Sequence, residues 1–151
     1  MLIIASDHGG LEMKEAIKGF FAERKLEIRD LGTEGSESVD YPEFGEKVAR
    51  AVSSGTVDRG ILICGTGIGM SIVANKFPGV RAALAHDEFT ARMAKEHNNA
   101  NVLVMGGRVQ STEQGLKLVA AWLDAEFEGG RHQRRLDKIA EIEQEIRSGK
   151  F

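Results

Sequence analysis

The chain has 151 residues, 42% hydrophobic and 28% charged, a balance that fits one globular domain with a sizeable core and excludes a disordered chain. Its net charge of −3 argues against nucleic acid or an anionic membrane as a partner, so any basic site must be local. A single cysteine excludes an intrachain disulfide framework and points to a reducing compartment, with the cytoplasm as the expectation, and Met1 to Ala5 is too short for a signal or membrane-spanning segment.

Leu2 to Ala5 is a continuous apolar run and predicts a buried strand. The loop Ser6 to Gly10 follows, then a helix to about Arg24 with Leu11, Ile17, Phe20 and Phe21 on its apolar face. Leu26 to Leu31 alternates and reads as the second strand, Gly32 to Pro42 as polar loop, Phe44 to Val52 as a helix and Gly60 to Cys64 as the third strand. The loop Gly65-Thr66-Gly67-Ile68-Gly69 comes next, with a helix from Met70 to Lys76. Val80 to Ala85 is the fourth strand, Asp87 to His97 another helix and Asn101 to Met105 the fifth strand. Ser111 is a natural N-cap, with Glu113 in the first turn of a helix to about Phe127. Gly129-Gly130 then precedes a last helix bearing Leu136, Ile139, Ile142 and Ile146. Apolar strands that are each followed by a helix predict a single α/β domain over residues 1–151. Its expected form is a Rossmann-like three-layer sandwich around a five-stranded parallel sheet.

In such folds ligands bind beyond the carboxyl ends of the strands. The loops leaving strands one, three and four carry Asp7-His8, Cys64-Gly65-Thr66 and His86-Asp87, while His97-Asn98 and Arg108 flank the fifth. Cys64 opens a loop whose alternating glycines let backbone amides face a ligand, and the helix after it offers its positive end to a thiolate. A buried, inert thiol is the alternative, and the glycine loop that begins at Cys64 outweighs it. A dinucleotide fingerprint fails, because Met70 stands where glycine is required and the loop has no P-loop lysine. Asp7, His8, Cys64, His86 and His97 could converge on a metal, but no pair has close ligand spacing, so no metal is assigned. A hydrolytic pairing of Cys64 with a histidine is conceivable, although nothing speaks for an acyl substrate. Arg131 and Arg135 share one helical face just after the double glycine and form a natural phosphate clamp. A thiol at a helix start, an amide-rich loop, histidines that can be neutral and an anion clamp together describe proton transfer on a phosphorylated small molecule.

Six segments closely resemble the motifs of the type B ribose-5-phosphate isomerases: Ala5 to Gly10, Asp40-Tyr41-Pro42, Cys64 to Ser71, Ala74-Asn75-Lys76, His97 to Asn101 and Gly129 to His132. The resemblance covers essentially the whole chain, and the family also includes galactose-6-phosphate isomerase subunits and allose-6-phosphate isomerases. It implies a cofactor-free aldose-ketose isomerisation of ribose 5-phosphate to ribulose 5-phosphate, a step of the pentose phosphate pathway, through a cis-enediolate. It implies Cys64 as the base working between C2 and C1, with Gly65, Gly67, Ile68 and Gly69 forming the loop around the oxyanion. Thr66 resembles the proton relay, Asn98 the enediolate ligand, His97 the ring-opening acid and Asp7 the group that holds the sugar hydroxyls or assists at the ring oxygen. His8, Arg108, Arg131 and Arg135 resemble the phosphate ligands, the last two supplied by a neighbouring subunit, and Tyr41 a pocket residue. The C-terminal helix is accordingly expected to extend toward a partner subunit in a homodimer that shares its active sites, with pairing into a tetramer left open. One family branch uses a glutamate in the glycine loop as base; Ile68 stands there in this chain, which leaves the task to Cys64. His97 implies a substrate that is mainly cyclic. The Ala85-His86-Asp87 loop is expected to border the substrate, which keeps allose or galactose phosphates as alternatives. A non-catalytic sugar-phosphate sensor is disfavoured because Cys64 and Thr66 are both present.

Overall fold

The computed structural model describes residues 1–150. Strand β3 (Arg59–Cys64) runs through the middle of the sheet, and its two-residue alternation sorts the core into two layers. Ile61 and Ile63 meet Met13, Ile17, Phe21, Leu118 and Trp122 on one face. Leu62 and Cys64 meet Val48, Ala49, Met70 and Ala74 on the other. Because both faces are covered, the inner strands carry apolar residues without interruption. The flanking strands are β1 (Leu2–Ser6), β2 (Ile28–Asp30), β4 (Ala82–Leu84) and β5 (Val102–Gly106), in the all-parallel order β2-β1-β3-β5-β4.

Helices α1 (Leu11–Glu23) and α5 (Thr112–Asp124) cover the first face, and α2 (Tyr41–Ser53) and α3 (Ile68–Ala74) the second. Helix α4 (Glu88–Glu96) packs beside α5, and α6 (Arg131–Arg147) closes the chain. The expected α/β sandwich with five parallel strands is therefore present, and the differences lie at element ends. Both edge strands are three residues long rather than six, since each pairs on one side only and Leu26 is left in solvent at 46% exposure. Helix α3 starts at Ile68, two residues early, because Gly67 at φ 81 makes the turn that begins it. Helix α5 stops at Asp124, where Ala125 turns extended and the carboxylate takes a bidentate pair from Arg24 at 2.8 and 3.2 Å.

Starting from β1, the chain adds β2 on one side and then β3 on the other, so a crevice opens between the loops that leave β1 and β3. Backbone bonds hold those loops to each other and to the loop after β5. Asp7 N–H donates to Ile63 at 3.2 Å, Gly107 N–H to Cys64 at 2.8 Å and Arg108 N–H to Gly65 at 2.9 Å.

Candidate active site

Cys64 forms the floor of a cleft of about 830 Å³ in that crevice. Its walls include Asp7, His8, Tyr41, Gly65, Thr66, Ile68, Gly69 and Arg108, all of them expected site residues. The sulfur is 4% exposed by residue and receives the Gly67 N–H at 3.2 Å, so an amide dipole is aimed at the atom that would carry negative charge. Thr66 Oγ1 accepts the Ile68 N–H at 3.2 Å, which leaves its own hydroxyl proton to donate elsewhere.

The three glycines of the loop do three different things. Gly67 alone has a positive φ. Gly65 lies under Arg108, whose Nη1 would be 3.3 Å from an added Cβ. At Gly69 a Cβ would come within 2.8 Å of Tyr41 Oη, so the missing side chain is what lets the Tyr41 ring close that wall. Two of the loop's amides are already engaged by Cys64 and Thr66, and the Gly69 N–H, on the first turn of α3 at the cleft, is among those left to donate to an oxyanion.

On the opposite wall Asp7 Oδ1 accepts the Gly9 N–H at 2.9 Å, fixing the carboxylate over the short 3-10 turn His8–Gly10. Val39 N–H donates to His8 Nδ1 at 3.2 Å, so the ring proton sits on Nε2, free to meet an anion. Sequence reasoning missed Val39, because a backbone amide 31 residues away leaves no signature in side-chain type. It also gave no part to Ile72, 57% exposed at the rim, whose only trace was an apolar residue on a short helix.

His97, Asn98, Arg131 and Arg135 do not line this cleft. Helix α4 leaves the carboxyl edge of the sheet and runs back, so His97-Asn98 lies ahead of β5 while Arg108 lies beyond it. The five residues of β5 alone separate them by about 13 Å along the strand. His97-Asn98 and Arg108 therefore do flank the fifth strand, but at its two opposite ends, so that only Arg108 reaches the cleft. Asn98 instead lines a separate pocket of about 330 Å³ with Leu136 and Ile139 of α6. Arg131 and Arg135 stand exposed on the first turns of that helix. The His97 ring stacks on His132, with centroids 4.1 Å apart and planes 12° from parallel. With Glu128 these two histidines bring three ligating atoms within 4.8 Å of one another, but near-parallel stacked rings do not aim their in-plane nitrogens at a common point.

The His86-Asp87 loop is the second correction. It leaves β4, the edge strand, and does not line the Cys64 cleft. Asp87 Oδ1 accepts the Thr90 N–H at 2.7 Å in a capping box, and this hydrogen bond, with that from the Thr90 hydroxyl, holds its carboxyl below the usual range. Its role is to start α4.

Residues 2–139 match the ribose/galactose isomerase family. The chain is 49% identical over 138 residues to ribose-5-phosphate isomerase B of Escherichia coli (strain K12), a match covering 91% of this chain and 93% of that one. The structure of Clostridium thermocellum ribose-5-phosphate isomerase B superposes with a TM-score of 0.93 at 55% identity, over 97% of this chain and 99% of that one. Ribose-5-phosphate isomerase B from Mycoplasma genitalium, solved with bound ribulose-5-phosphate, gives a TM-score of 0.92 at 45% identity over 95% and 96%. Sequence and fold agree along nearly the whole length, and the chain belongs to the ribose/galactose isomerase family.

Proposed function

We propose that this enzyme interconverts D-ribose 5-phosphate and D-ribulose 5-phosphate in a site completed by a second copy of the chain, with no cofactor. The observation that carries the reading is the Gly67 amide on Cys64 Sγ at the floor of a cleft walled by Asp7, His8, Thr66 and Arg108. The similarity to isomerases named for this substrate supports the choice of sugar.

The phosphate is held by His8 Nε2–H and the Arg108 guanidinium, joined by Arg131 and Arg135 of the partner subunit. His97 of the partner subunit protonates the ring oxygen as the bond from C1 to that oxygen breaks, and the free carboxylate oxygen of Asp7 takes the anomeric hydroxyl proton. The Cys64 thiolate then removes the proton from C2, and the electron pair moves onto O1. The Gly69 amide and Asn98 of the partner subunit stabilise the resulting cis-enediolate. Thr66 carries the hydroxyl proton from O2 to O1, and Cys64 returns its proton to C1, leaving the ketone at C2. A second chain is supported by the separation of the two clusters within one chain. Ile139, Ile142 and Ile146 point the same way, forming a stripe on α6 that is 52% to 56% exposed. No described helix is long and apolar enough to cross a membrane; a cytoplasmic setting suits the free thiol of Cys64.

Solvent deuterium appearing at C2 of ribose 5-phosphate tests the reaction, with allose and galactose 6-phosphates assayed alongside. Label in the pentose phosphate is expected, and Cys64→Ala should abolish it while the fold persists. Binding without label would identify a sensor, and faster turnover of a six-carbon sugar would reassign the substrate.

A further inference from the structure

His132 has no part in the chemistry above, yet it is the only buried residue of α6, at 5% exposure. Its Nε2 lies 3.2 Å from Glu128 Oε2, outside hydrogen-bonding alignment, and has no aligned partner among the described residues. An apolar side chain would fill the same space without an orphaned polar atom. What the imidazole adds is a flat face against the flat face of His97.

The backbone around it is bent to make that contact. Glu128 N–H donates to the Glu96 carbonyl at 3.0 Å, tying the segment before α6 to the end of α4. Gly129 and Gly130, at φ 66 and 56, then reverse the chain through a conformation that side chains rarely adopt. His132 N–H closes the hook on Gly129 at 3.0 Å. The double glycine thus returns α6 over His97, with Arg131 and Arg135 on its first turns.

We propose that His132 is a positioning residue whose stacked ring fixes the His97 imidazole and locks it to the arginine-bearing start of α6. The inference rests on the function proposed above, and it assigns His132 to ring opening rather than to enolisation, since it touches the ring-opening acid and none of the groups around Cys64.

Ribulose 5-phosphate separates the two steps. Its O5 is phosphorylated, so no hydroxyl can close a five-membered ring onto C2, and solvent-proton exchange at its C1 needs Cys64 without ring opening. In His132→Ala, turnover from cyclic ribose 5-phosphate should fall about tenfold or more, while exchange into ribulose 5-phosphate stays within about twofold. His132→Phe, which keeps a flat ring, should recover most of the loss, and His132→Leu, which fills the space without stacking, should not. In the wild-type protein, which has four histidines, a His97 ring proton should carry an upfield ring-current shift. A parallel fall in both rates, no fall in either, rescue by leucine equal to phenylalanine, or an unshifted His97 proton would overturn the assignment, and the last of these needs no variant to fold. A wild-type protein inactive in both assays would instead sink the isomerase reading itself.

Discussion

Around Cys64 the important groups are held by backbone, and around His97 they are held by side chains. The first cluster uses the Gly67 amide on sulfur, the Gly9 amide on Asp7 and the Val39 amide on His8. Each donor is fixed by loops bonded across three strands, so the geometry exists before any ligand or partner arrives. The second cluster depends on one ring stack and on two arginines standing in solvent at the start of a helix that buries a single residue. A preorganised cleft can be supplied by one chain, whereas exposed cations become useful when another surface closes over them. The difference teaches where an activity that needs both clusters is vulnerable: the cleft to changes of an atom, the arm to changes of assembly.

The largest effect should come from breaking one cluster in each of two chains. Cys64→Ala and His97→Ala are each expected to lose at least a thousandfold and a hundredfold in turnover, in keeping with the loss of an essential base and an acid. Mixed after unfolding and refolding together, they should regain about a quarter of wild-type activity. Half of the dimers are then mixed, and each of those carries one intact site of two. Failure to regain activity, with mixed dimers confirmed by mass, would mean that both clusters serve one chain. A smaller loss is expected from Ile142→Glu, which puts a carboxylate into the exposed α6 stripe. Symmetry places two such charges in the contact, so the dimer should weaken about a hundredfold. Sedimentation should then find monomers whose Cys64 reacts with a thiol reagent at least as fast as in the wild type. A stable dimer would show that the stripe is not the contact.

Most of the cleft was legible in the sequence because it follows from topology. Once Leu2–Ala5 and Gly60–Cys64 read as parallel strands, Asp7, His8 and Cys64 had to leave at the same end. The His97 cluster is harder to read, since a helical pattern over Asp87 to His97 does not itself show that such a helix returns its C-terminus to the opposite end of the sheet. The order of the strands was hidden too, so His86-Asp87 looked as central as Asp7-His8 until β4 proved to be the edge. Backbone donors such as the Val39 amide carry no residue signature, and the stack of His97 on His132 joins positions that no periodicity links.

The cleft also has a buried support that the arm lacks, and this sets the smallest expected effect. Lys14 is fully buried and donates to Asp30 Oδ1 at 2.8 Å and to the Thr33 carbonyl, while Lys18 reaches Asp30 Oδ2 at 2.9 Å and the Gly32 amide reaches Oδ1 at 2.8 Å. These bonds fix the start of the loop that later presents Val39 to His8. Burial by itself would push the Asp30 carboxyl up, but the two lysines and the amide together hold it below its ordinary 3.8. A carboxyl whose folded value is depressed stabilises the fold fully above about pH 4, and that contribution disappears as pH falls through the lowered value. Replacing Lys14 by Met removes one buried partner and leaves Lys18, so the loss should be about 2 kcal/mol at neutral pH, below the range for a pair left with no partner. The deficit relative to wild type should shrink as the solution is acidified through the lowered value, below which Asp30 is protonated in both proteins, and denaturant melts at several pH values would measure it. Turnover should fall only about threefold, through a looser His8. A deficit that stays constant into acid would mean that Lys14 acts through packing and the Thr33 carbonyl, and that the charge on Asp30 is held by Lys18 alone.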